Sequence, residues 1–123
     1  MEKREPAKSF KELIVWQKAH QMVLNVYVAT KSFPKEEMYG LTSQIRRSSV
    51  SVAANIAEGF KKKAIADKLK FMNTAQGSLS ETDYHLLLAN DLEYFNTKKL
   101  IKDAEEVGRL LEAYMRGIRG NNS

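Results

Sequence analysis

Apolar residues recur at alternating spacings of three and four along almost the whole chain, and only two prolines and six glycines interrupt them. That rhythm puts each apolar set on one face of an α-helix, and no segment keeps the two-residue alternation of a half-buried strand. Four segments result. Trp16, Ala19, Val23, Val26 and Thr30 mark a helix over about 12–31, which Phe33-Pro34 ends. A short helical turn from Lys35 to Tyr39 precedes Gly40. Leu41, Ile45, Val52 and Ile56 then mark a second helix over about 42–58, with Thr42 as its N-cap and Gly59 available to close it. Met72, Ala75, Leu79, Thr82, Leu86 and Ala89 mark a third over 67–92. Asn96-Thr97 opens a fourth over 97–118, carried by Leu100, Ala104, Val107, Leu111, Tyr114 and Ile118. The tail, Asn121 to Ser123, is expected to fray.

Amphipathic helices joined by short connections pack as antiparallel neighbours, so the expected fold is all-α: an antiparallel up-and-down four-helix bundle, with residues 1–123 as one domain. A chain of 123 residues can bury an adequate core without staples. There is no cysteine, which removes disulfides, thiolate metal sites and cysteine nucleophiles and makes a reducing, cytoplasmic location the simplest expectation. Met1 to Ser9 holds charges of both signs and no apolar targeting core, and no apolar run is long enough to cross a bilayer. Gly77 falls in the middle of the third helix. It either permits close approach of another backbone or is a tolerated weak point costing about 1 kcal/mol.

The second helix is apolar on two sides. Opposite its core stripe lie Val50, Ala53, Ala54 and Ala57, a small-residue face expected to contact another subunit. Alanine is also simply a good helix former on a wet surface, which accounts for the three alanines but not for Val50. Between the two faces run Gln44, Ser48, Ser51, Asn55 and Glu58. Of these, Ser51, Asn55 and Glu58, with Glu81 of the third helix, are expected to form a structural polar network. If buried in a subunit interface, Asn55 and Glu58 need partners, which Arg46 or Arg47 of another copy could supply.

Chemistry finds little support. Glu81 stands four residues before His85 and His20 is isolated, so the Glu-x-x-His pairs of a di-iron bundle are missing, and both histidines read as surface or satisfied side chains. Glu58-Gly59-Phe60-Lys61 has one glycine where a phosphate-binding loop needs several. Ser48, Ser49, Ser51, Ser78 and Ser80 have no activating base placed beside them by sequence. A hydrolase would need a pocket with converging polar groups around Asn55, Glu58 and Glu81. The expectation is therefore a non-enzyme without cofactor or metal.

Charge is the remaining signal. The net charge is +5, and all of the excess lies between Lys31 and Lys70, where nine Lys/Arg face four Asp/Glu; the rest has eleven of each. Arg46, Arg47, Lys61, Lys62 and Lys63, followed by Lys68 and Lys70, are candidates to neutralise nucleic-acid phosphates, a mode that depends steeply on salt and reads little sequence. If helical phase is kept, Arg47 and Lys61 share one side of the second helix, about 21 Å apart at 1.5 Å per residue. A lysine-rich connector can equally be a solvated surface.

Phe33-Pro34 with Glu37, Tyr39-Gly40-Leu41-Thr42, Gln44-Ile45-Arg46-Arg47, Ser51, Asn55-Ile56-Ala57-Glu58-Gly59, and Gly77-Ser78-Leu79 with Glu81 together resemble the four-helix-bundle proteins encoded by intervening sequences of bacterial 23S ribosomal RNA genes. The likeness runs from about Phe10 to Tyr94. It takes in Val15-Trp16-Gln17-Lys18-Ala19, Val52-Ala53 after Ser51, and the aromatic Phe71. That family includes the accessory variability protein of diversity-generating retroelements, a basic homopentamer that binds nucleic acid and partners a reverse transcriptase. The resemblance implies a homopentamer and an RNA- or DNA-binding accessory role. The alternative, from a different class, is an interaction scaffold recruiting an acidic partner such as a polymerase or reverse transcriptase.

Overall fold

The computed structural model describes residues 6–120. It is all-α, with helices α1 (Ile14–Thr30), α2 (Leu41–Lys61), α3 (Ile65–Asp91) and α4 (Lys98–Gly120), and 3-10 turns at Phe10–Glu12 and Lys35–Glu37. Each helix packs on its two neighbours, in the cyclic order α1, α2, α3, α4, and α2 against α3 is the most extensive pairing. The loop after α1 meets the loop after α3: Phe33 packs on Tyr94 with ring centroids 5.6 Å apart, and Tyr94 Oη donates to Glu37 Oε2 at 2.8 Å. Leu13, Phe60, Ile65 and Ile118 line one cavity at the opposite end. The helices therefore run up, down, up, down, forming a four-helix bundle.

The apolar stripes become the core. Every stripe residue named above is buried except Trp16 and Tyr114, which are half-buried against it, and Met115 takes the fully inward position beside Tyr114. The ends of the helices differ from expectation, for reasons of capping. Thr42 does not cap α2; it is buried inside the first turn, and the Leu41 amide donates to Glu37 Oε1 at 3.0 Å instead. The Glu37 carboxyl is held below its ordinary range by this amide and by the Tyr94 hydroxyl. Lys68 Nζ donates to the Phe60 carbonyl at 2.7 Å, satisfying the last turn of α2, which runs on to Lys61. At the end of α3 the Tyr94 amide donates to the Ala89 carbonyl, with Glu93 in the left-handed region at φ 62°. This is a Schellman closure made without glycine. The expectation for Asn121 to Ser123 lies outside the described residues.

Gly59 does not close α2. It is buried within the helix, where a Cβ would stand 2.8 Å from Phe71 Cβ and 2.5 Å from Met72 Cε, so its lack of a side chain lets α2 and α3 approach. Gly77 is the opposite case, with open space where a Cβ would be. Of its two readings, the tolerated weak point is the one the geometry supports. Gly59→Ala is expected to lower stability by roughly 1 to 3 kcal/mol through overpacking, whereas Gly77→Ala is expected to raise it by up to about 1 kcal/mol. Thermal unfolding of the two variants beside the parent checks the pair, and equal shifts would contradict the assigned packing.

Candidate nucleic-acid interface

The unbroken α2 keeps helical phase from Leu41 to Lys61. Positions 43, 47, 50, 54, 57 and 61, spaced four, three, four, three and four, consequently form one outward stripe. Arg47, Val50, Ala54 and Lys61 on it are exposed, and Ala57 is half-buried. The stripe has cations near its two ends and small apolar residues between them. Ala53 is not part of this face: it is 8% exposed and belongs to the core with Val52 and Ile56. One residue earlier on the helix than Ala54, it is turned by 100° toward the bundle. The outer face expected to meet another subunit is thus reduced to Val50, Ala54 and Ala57.

The basic residues divide by what holds them. Arg47, Lys61 and Lys63 are exposed, and their side chains have no hydrogen bond or ion pair among the described residues. Arg46 is half-buried; its Nε donates to Thr30 Oγ1 at 2.9 Å, and its guanidinium lies 4.7 Å from the centre of the Tyr27 ring. This ties α2 to α1 while leaving the terminal nitrogens of the fork unused. Lys62 Nζ lies 5.1 Å from the centre of the Phe71 ring. Lys68, besides capping α2, lies over Phe60 at 5.3 Å, and burial lowers its pKa. It is a structural lysine. Arg46 and Arg47 make no contact with Asn55 or Glu58 within the chain.

Two residues of the polar stripe of α2, Ser48 and Ser51, turn toward α3. Ser51 Oγ lies 2.8 Å from Ser78 Oγ, and Asn55 Nδ2 donates to the Ser51 carbonyl at 2.8 Å and to Ser51 Oγ at 3.0 Å. One turn earlier, Thr82 Oγ1 donates to Ser48 Oγ at 2.9 Å, and Ser48 Oγ lies 3.3 Å from His85 Nδ1. The expected network is corrected accordingly. Ser51 and Asn55 are joined one turn apart on α2 itself, with Ser51 also meeting Ser78 of α3, while Glu58 is exposed with no partner among the described residues and Glu81 lies 3.9 Å from His85 Nε2. The Ser48–His85 contact joins residues 37 apart and has no local sequence signal. Both side chains are buried, with Thr82 occupying the hydroxyl. His20 is exposed and stacked on Trp16.

Beside Arg46 and Arg47, α2, the end of α1 and the loop between them enclose an open groove of about 380 Å³. Tyr27, Met38, Tyr39 and Val50 line it, and Tyr39 is 94% exposed. In the sequence Tyr39 ends a short helical turn and belongs to a family motif, neither of which signals a surface role; its exposure depends on the loop geometry that places it at the rim.

Among the described residues, no helix is long and apolar enough to cross a membrane. The family model described as 23S rRNA-intervening sequence protein matches residues 11–113. No curated protein matches the chain significantly. A solved structure from Bacteroides thetaiotaomicron, described as a protein with unknown function from the S23 ribosomal protein family, superimposes with a TM-score of 0.76 at 24% identity. That alignment covers 83% of this chain and 98% of the other, and it speaks for the fold.

Burial pushes the His85 pKa below its ordinary value of 6.5, with the nearby Glu81 carboxylate opposing the shift. The unfolded chain therefore takes up this proton first as pH falls. The contribution of neutral His85 is complete above pH 6.5 and declines as pH drops below it toward the folded-state value. Melting temperature measured across this window is expected to fall with pH in the parent and to flatten in His85→Gln; parallel curves would remove His85 as the source.

Proposed function

Since the chain belongs to the 23S rRNA-intervening sequence protein family, we propose that it is a non-enzymatic, oligomeric accessory protein that binds RNA or DNA through its phosphates. The observation that carries the reading is the outer stripe of α2, where Arg47 and Lys61 stand exposed without partners at either end of an apolar centre. An exposed cation held by no carboxylate keeps its full charge available to a polyanion. Arg46, pre-oriented by Thr30 and Tyr27, and Lys62 and Lys63 after the end of α2 extend the basic surface.

The middle of the same stripe gives the oligomer. Val50, Ala54 and Ala57 contact another copy, with five copies closing the ring, and each copy carries its own cations on the flanks of that contact. Phosphate contacts that are weak singly then act together, because the first bound subunit raises the effective concentration for the next. The buried Ser48–His85 pair is spent on joining α2 to α3, which supports a binding role over a hydrolytic one. The protein works in the cytoplasm, needs no cofactor or metal, and binds without reading sequence.

Fluorescence anisotropy of nuclease-treated protein with RNA and with duplex DNA over a salt series, with mass from light scattering, tests this. Affinity is expected to fall steeply with salt, and Arg47→Glu combined with Lys61→Glu to weaken binding roughly uniformly and reduce the salt slope by about one per lost phosphate contact. Ala54→Arg is expected to lower the mass. Unchanged affinity in the double variant would overturn the site, and a well-formed oligomer that binds neither ligand at low salt would overturn the function in favour of recruitment of an acidic protein.

A further inference from the structure

The groove beside Arg46 has properties that phosphate neutralisation alone does not call for. Tyr39 presents its ring almost wholly to solvent at the rim, and Tyr27, 40% exposed, forms the wall against which the Arg46 guanidinium lies. Met38 adds apolar lining, as does Val50 at the border with the proposed subunit contact, Thr42 and Ser43 add hydroxyl-bearing side chains, and no carboxylate is among the lining side chains. Two arginines and two aromatic rings at one opening are the elements of single-strand recognition: a base stacks on a ring face while guanidinium groups take the adjoining phosphates. A duplex keeps its bases stacked on one another and offers none to Tyr39.

Resting on the nucleic-acid reading above, we propose that this groove binds an unpaired RNA nucleotide, with Tyr39 stacking on the base, Arg47 on a flanking phosphate and the free nitrogens of Arg46 beneath it. The Ser43 hydroxyl, half-buried in the lining, and the Tyr27 phenol supply donors and acceptors suited to a ribose 2′-hydroxyl, which DNA lacks. The protein on this account prefers loops, bulges and ends of structured RNA to continuous helix. The Arg46–Tyr27 contact positions the wall before the ligand arrives, so little ordering cost falls on binding.

The test compares a short single-stranded RNA of mixed sequence, the same RNA paired with its complement, and a DNA strand of the same sequence, each titrated with the intact protein at fixed moderate salt. The parent is expected to bind the single-stranded RNA most tightly. Tyr39→Ala is expected to lower that affinity roughly five- to a hundredfold, the range for losing one stacked base, with duplex binding unchanged, and Tyr39→Phe to retain it. Because Tyr39 is exposed, the fold is expected to survive, which far-ultraviolet circular dichroism of the variant verifies. If Tyr39→Ala leaves single-strand affinity intact, or weakens duplex binding equally, the inference falls while the phosphate reading stands. Equal affinity for the DNA strand would overturn the assignment to RNA. Absence of binding to all three ligands would take both readings down.

Discussion

Helices α2 and α3 meet through short side chains for most of the length of α2. Gly59 removes the Cβ where Phe71 and Met72 pass, and Ser51 against Ser78 and Ser48 against Thr82 let the two backbones stay close while their hydroxyls satisfy one another. Large apolar residues at these positions would push the helices apart. Charged ones would need partners that the seam does not hold. The rest of the bundle is arranged around this pairing: with the serines of α2 engaged on α3, Leu41, Ile45, Val52 and Ile56 point into the common core.

The two ends of the bundle are fixed by different chemistry. At one end Glu37 accepts from the Leu41 amide and from Tyr94, so a single carboxylate caps α2 and ties the loop after α1 to the loop after α3. The Leu41 amide and the Tyr94 hydroxyl depress its pKa, so this tie contributes above the ordinary glutamate value and is lost as pH falls through the lowered one. At the other end Lys68 closes α2 on the Phe60 carbonyl. One member of the basic run is thereby withdrawn from any role at the surface. The groove at the first end stands next to the Glu37 tie, and its walls come from elements which that tie holds together.

Orientation of the polar stripe decides what α2 can offer outward. Because Ser48 and Ser51 are turned to α3 and Ala53 to the core, the outward stripe of the helix carries cations and small apolar groups, with the exposed Gln44 and Glu58 beside it. On the proposed reading, subunit contact and phosphate contact share this strip end to end, so assembly and binding are coupled by geometry. Arg46 belongs to both the scaffold and the surface, anchored at Nε and open at its other nitrogens.

By itself the sequence determined the four helices, their apolar faces and the family resemblance. The three-four spacing is a local property of a 3.6-residue helix and needs no knowledge of partners. It also placed Arg47 and Lys61 on one side of α2, since phase within a helix is local too. Tertiary structure alone decided which helix each polar side chain meets: Ser48 with Thr82 and His85, Ser51 with Ser78, Glu37 with Tyr94, pairs separated by 27 to 57 positions. It also decided that Gly59 sits inside a helix and not at its end, that Ala53 is core, and that Arg46 and Lys68 are tied down while Arg47 and Lys61 remain free. Side chains a hundred degrees apart on a wheel have equal claims to be buried until the neighbouring helices fix where water is excluded.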